Sequence, residues 1–212
     1  MATIPANQYC CVAASPAGFL RQLTANILPY GYRYYSAGCI REPLKPESVD
    51  ENIIQNYRLN TLSKDQRFYY RSKEISMVHY LRYGRFYLLL ACEGSKRMDK
   101  ASQPKYNGDK GCQFFFENEK KKMKDIRESP IHFKCYLISR NNYNYVRLDG
   151  PTYKELAAKC LQHAPHWKRS LLKEFLKQQF ARFEAYAGVR AQFSEIVHRV
   201  NKIRKKAGLE LV

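Results

Sequence analysis

Met77-Val-His-Tyr-Leu-Arg-Tyr-Gly-Arg-Phe-Tyr-Leu-Leu-Leu-Ala-Cys92 is the stretch that decides the fold. β-branched, aromatic and long apolar residues run through it, with a single glycine near the middle. That is the pattern of strand, tight turn and strand, with Tyr83-Gly84-Arg85 as the turn or as a bulge in one long strand. Phe86 to Ala91 is apolar at successive positions, so both faces of that strand are expected to be covered.

Working outward, Tyr30-Gly-Tyr-Arg-Tyr-Tyr-Ser-Ala-Gly-Cys-Ile40 reads as another strand. Its alternation would put Tyr30, Tyr32 and Tyr34 on one face and Arg33 and Tyr35 on the other. Phe19, Leu20, Leu23, Ile27 and Leu28 share a short helical stripe that Pro29 stops. Ser48-Val-Asp-Glu51 fits a capping box, and Val49, Ile53 and Tyr57 follow at helical spacing. Residues 61–74 read as a structured loop and 93–111 as a long, highly charged loop. Phe114 to Glu128 has helical character up to Pro130. Ile131–Ser139 and Asn144–Leu148 read as a hairpin. Thr152-Tyr-Lys-Glu155 is a second capping box, opening a helix that Pro165 interrupts. A further helix follows to about Phe180, and a last one begins after Gly188.

The order of strand, helix, strand, helix, strand, strand and then helices predicts an α+β fold. A mixed or antiparallel sheet is expected, in a ferredoxin-like or RRM-like split βαβ arrangement, with helices on one face and a C-terminal helical segment. The expected division is a loose leader over 1–17, an α+β core domain over 18–150, and a helical segment over 151–212 packed on the core.

The chain has 212 residues, and 37 Lys and Arg against 19 Asp and Glu give a net charge of +18. Hydrophobic residues make up 45%, enough for a packed core, which excludes a wholly disordered chain. No apolar run approaches the ~20 residues of a membrane span, and the first residues lack a signal-peptide pattern. The seven cysteines are odd in number and none has C-x2-C spacing, so a reducing cytoplasm is expected over a disulfide framework. The surplus of cations points to a polyanionic partner, and nucleic acid is the commonest one.

Rings interleaved with cations name the candidate residues. They are Tyr32, Arg33 and Tyr34; Arg67, Tyr70 and Arg71; and Arg82, Tyr83, Arg85 and Tyr87. Unpaired bases stack on such rings while arginine holds phosphate. Tyrosine also suits a strand at the rim of a core, its ring packed and its hydroxyl wet. Lys120, Lys121 and Lys122 form a basic run. Arg190, Arg199, Lys202, Arg204, Lys205 and Lys206 give the last helix a cationic side suited to a phosphate backbone, or to a solvated face.

Other chemistry has weaker support. A nicking enzyme would pair a nucleophilic tyrosine with a His-hydrophobe-His metal pair, but Leu81 stands two residues after His79. Tyr153 and Tyr186 would be its tyrosines. Cys160, His163 and His166 have ligand-like spacing, which Pro165 breaks. Glu117, Glu119, Asp99 and Asp109 have no spacing that gathers them for two metals. Glycine-rich phosphate loops, nucleophile elbows and dinucleotide fingerprints are absent.

The expected function is therefore that of a basic protein binding RNA or single-stranded DNA by aromatic and arginine stacking with Lys/Arg phosphate contacts. No catalysis, cofactor, metal or membrane partner is expected. Two competing readings are a metal-dependent phosphodiester-cutting or strand-transfer enzyme of a mobile element, and a basic subunit of a larger protein assembly.

Overall fold

The deciding stretch folds as a hairpin in the computed structural model, which describes residues 10–57, 59, 68–69, 72, 77–92, 123–140 and 143–212. β2 (Val78–Tyr83) and β3 (Phe86–Cys92) pair antiparallel around Gly84, whose φ of +57° is the left-handed conformation that glycine adopts without strain. β1 (Tyr32–Cys39) pairs with the other side of β3, and β4 (Lys124–Asp125) with β1, so the sheet order is β2-β3-β1-β4. Both β1 and β2 run antiparallel to β3, so they are parallel to each other. α2 (Pro46–Asn56) joins them. This is the split βαβ connection. The chain is α+β, with two antiparallel sheets, and its contacts separate it into two units, 1–129 and 130–212. The boundary therefore falls after Ser129, and the second sheet belongs with the C-terminal helices.

Helices cover both faces of the first sheet, not one. Val78, Tyr80, Leu89 and Ala91 pack with Ile53, Ile54 and Tyr57 around α2. Leu81, Leu88 and Leu90 alternate with them, face the other way and are buried as well. On that second side Phe19 meets Phe86 edge-on, with ring centroids 5.8 Å apart. Phe19 belongs to α1 (Pro16–Arg21), which continues as a π-turn segment (Gln22–Ile27) and a 3-10 turn (Leu28–Tyr30). The five apolar positions read from the sequence, Phe19, Leu20, Leu23, Ile27 and Leu28, are all buried.

Local chemistry moved several boundaries. The described part of the expected leader is ordered against the sheet edge: Ala13 N–H donates to the Arg82 carbonyl at 2.8 Å, and Arg82 N–H to that of Cys11 at 2.7 Å. The Ser15 hydroxyl then caps α1 by accepting the Gly18 N–H at 3.0 Å. A bulge between Tyr32 and Tyr34 puts Tyr32 and Tyr35 on one face and Tyr34 on the other, correcting the simple alternation. Pro46, at the first turn, starts α2 before Ser48, so the capping box there does not form. Residues 123–129 are strand and turn, not the end of a helix. The Asp125 carboxylate accepts the Arg127 N–H at 2.9 Å, and its carbonyl accepts those of Glu128 and Ser129.

The second unit is a meander of β5 (Ile131–Phe133), β6 (Tyr136–Arg140) and β7 (Asn144–Leu148), followed by α3 (Gly150–His163), α4 (Arg169–Ala181) and α5 (Ala187–Lys206). The expected single strand over 131–139 is two strands. Ile131 and Phe133 are buried, then Tyr136 and Ile138, one residue out of phase. The turn between them holds Lys134 at φ +52°. α3 is capped by Asp149, which accepts the Thr152 N–H at 2.8 Å, three residues ahead of the expected box.

α5 seals the free edge of β7. At Gly188 a side chain would collide with the Val146 carbonyl and the Tyr145 ring. One turn on, the Gln192 carboxamide accepts the Leu148 N–H at 2.8 Å and donates to its carbonyl at 3.1 Å. Both edge groups of Leu148 are thus satisfied as a neighbouring strand would satisfy them. Val189, Phe193, Ile196 and Val200 form the buried stripe of the same helix.

Candidate nucleic-acid interface

The two units differ in charge density. Residues 130–212 carry 16 Lys and Arg against six Asp and Glu, a net of +10 in the smaller unit. Most of these cations lie on helices whose apolar stripes are already committed to the core, so their outward positions are left to charge.

α5 is the clearest case. Val189, Phe193, Ile196 and Val200 fix its inward side. Arg199, Lys202, Lys205 and Lys206 are all exposed. At about 100° per residue they fall within roughly a third of the circumference. No Asp or Glu occurs from Ile196 to Leu209. Arg190 is also exposed but lies two turns away, donating to the Ala185 carbonyl at 2.6 Å. α4 adds a row that the sequence reading passed over. Arg169, Lys173 and Lys177 recur every four residues, and all three are exposed. The i, i+4, i+8 spacing was the available signal.

Arg204, expected among the phosphate-binding residues, is 2% exposed. Its guanidinium donates to the carbonyls of Ala164 and Trp167 at 2.9 Å each and to that of Glu210. It ties the α3–α4 turn and the C-terminal residues to α5, with Nε and Nη1 bonded inside the unit.

Arg82 is corrected in the same way. It is 6% exposed, and Nε and Nη2 grip both oxygens of Asp50 on α2 at 2.6 to 2.9 Å. The Tyr80 hydroxyl donates to the same carboxylate at 2.7 Å. Burial, and then this carboxylate, push the Tyr80 phenol far above its usual range. The cluster fastens α2 to the sheet.

The remaining candidates of the first unit are held by their own neighbours. Tyr32 is buried, edge-on to His79 at 5.7 Å. Arg33 is half-buried, its guanidinium 5.0 Å from the Tyr34 ring centre and donating to that hydroxyl at 2.9 Å. Tyr87 is half-buried: its ring occupies the space above Gly38 and lies 6.2 Å from Tyr80. Arg85 donates to the Ile40 and Leu44 carbonyls at 3.1 and 3.3 Å, bracing the loop that leads into α2. Tyr83 is half-buried. Both faces of this sheet are covered by helices, so it does not present the open aromatic surface expected of it. Arg67, Tyr70, Arg71, Lys120, Lys121 and Lys122 lie outside the described residues.

Groups weighed for other chemistry are placed differently. Tyr153 on α3 is half-buried and burial pushes its phenol up, away from the phenolate a nucleophile needs. His163 stacks on Trp167 at 4.0 Å with Phe175 edge-on to both. Cys160 is fully buried and its thiol is pushed up to about 11 by that burial. Among the described residues no group of three His, Cys, Asp or Glu is gathered for a metal ion. Nor, among them, is any helix long and apolar enough to cross a membrane.

No protein-family model, curated protein or solved structure matches this chain.

Proposed function

We propose that the chain binds RNA or single-stranded DNA, gripping the phosphate backbone with the cationic sides of its C-terminal helices. The observation that carries this reading is the exposed row Arg199, Lys202, Lys205 and Lys206 with no acid interspersed. Those residues span about 10 Å of helix, a mean spacing of roughly 3.5 Å along the axis. One strand of a helical nucleic acid carries a phosphate about every 3.4 Å, so the two charge densities match. A single small anion would need one or two of these cations, whereas a polyphosphate can engage the whole row and release a counterion for each contact. Arg169, Lys173 and Lys177 on α4 extend the positive surface of the same unit. Six free cysteines among the described residues accord with a cytoplasmic protein.

The test is a gel-shift with labelled single-stranded RNA and DNA of mixed sequence. Complexes are expected at low salt that dissolve as salt rises. Absence of a complex at low salt overturns the proposal.

A further inference from the structure

The small sheet of the second unit alternates strictly. Ile131, Ile138 and Val146 make one cross-strand row, and Phe133, Tyr136 and Leu148 the next, all six buried. The positions between them face the opposite way. These are His132, Leu137 and Arg147 in one row and Ser139 with Tyr145 in another. His132 and Arg147 are exposed, and Leu137, Ser139 and Tyr145 are half-buried. This face reaches solvent at its two edge strands, whereas both faces of the first sheet are packed by helices.

Its composition suits one kind of occupant. Tyr143 is 70% exposed, and its ring meets that of Tyr145 edge-to-face with centroids 6.3 Å apart. Tyr145 is braced in turn, because its ring rests over Gly188 of α5. Arg147 follows two residues later on the same face, about 7 Å along the strand. None of these positions is Asp or Glu. A solvent-facing ring, a second ring fixing its orientation and a neighbouring guanidinium are what an unpaired base and its phosphate require.

We infer that this face of the β5–β6–β7 sheet is a base-stacking platform for a single strand of nucleic acid, with Tyr143 taking a base and Arg147 a phosphate. This rests on the polyphosphate reading above and adds the element that would make the protein prefer unpaired over paired strands. Stacking tolerates any base, so the preference is for single-strandedness rather than for a sequence.

The experiment uses the full chain and an oligonucleotide carrying 2-aminopurine, whose fluorescence falls when the base stacks. The protein is expected to quench the probe. Tyr143→Ala is expected to abolish the quench and weaken single-strand binding roughly ten-fold. Its duplex affinity and salt dependence stay unchanged, and Tyr143→Trp restores both quench and affinity. Circular dichroism and melting of the Ala variant should match the parent, since the side chain lies mostly in solvent. If Tyr143→Ala binds and quenches as the parent does, the platform is refuted, while salt-sensitive binding by the parent still upholds the polyphosphate reading. If the parent binds no strand at low salt, both fall together.

Discussion

Replacing Lys202 and Lys206 with alanine removes two of the four cations that line the C-terminal half of α5. Both side chains are exposed and lie one turn apart, and alanine is a good helix former, so the fold should persist. Each phosphate contact on a single strand contributes about −0.7 to the slope of log K against log salt. The four α5 contacts supply about −2.8 of the slope, and removing two makes it shallower by about 1.4. Between about 50 and 200 mM salt the double variant should therefore lose roughly 7-fold less affinity than the parent. Fluorescence anisotropy of a labelled single strand, titrated at four or five salt concentrations, reads both slopes. The reasoning is refuted if the two proteins give the same slope, because Lys202 and Lys206 would then touch no phosphate.

Other expectations concern the buried cations and one carboxylate. Arg204→Ala removes the donor to the buried Ala164 carbonyl and the half-buried Trp167 carbonyl, and should cost about 3 kcal/mol and lower the melting temperature by more than about 10 °C. A shift of only a degree or two in a thermal scan would show that those carbonyls find other donors. Asp50→Ala strands the Arg82 charge beneath α2 and should cost about 3–5 kcal/mol in urea unfolding. A loss under 1 kcal/mol would contradict the proposed fastening. At Asp125 burial alone would raise the carboxyl pKa, but hydrogen bonds from Arg127 and the charges of Arg127 and Arg33 outweigh it and leave it below the usual value. A lowered folded-state value means the stabilisation is full above the unfolded value of about 4 and fades as pH falls through the folded one. Asp125→Asn should thus lower stability by a constant amount from about pH 5 upward and remove this carboxylate's share of the acid-side fall, and an acid-side slope equal to the parent's would count against it.

Much of the architecture was legible because it rests on local pattern. The Met77–Cys92 hairpin announces itself through Gly84 and the doubly apolar third strand, and the stripe from Phe19 to Leu28 is buried at every position named. The split βαβ arrangement was expected from strand, helix and strand in succession, with Met77–Cys92 read either as a hairpin or as one bulged strand. Other features were written in the sequence but read past. The phase change between Phe133 and Tyr136 marks the turn at Lys134, and Asp149 just before Pro151 is a stronger cap than Thr152. Tyr143, Tyr145 and Arg147 stand at strand spacing, and Arg169, Lys173 and Lys177 at helical spacing.

The two arginine corrections were not legible in the same way. Arg82 is buried because Asp50, 32 positions away, is delivered to it by α2. The Ala164 and Trp167 carbonyls that hold Arg204 come from a turn 37 to 40 positions earlier. Composition counts such cations as surface charge, and only the tertiary fold removes them. Likewise, the rings of the first sheet read as a stacking surface until helices are found on both its faces.

The central claim is that the exposed cations of the second unit's helices grip a phosphate strand. Lysine acetylation followed by mass spectrometry, with and without a saturating single strand, tests it residue by residue. Lys202, Lys205 and Lys206 should be protected strongly and Lys173 and Lys177 to a lesser degree, while the exposed Lys45 reacts as before. Protection spread evenly over all exposed lysines, or confined to those of residues 1–129, would contradict the account.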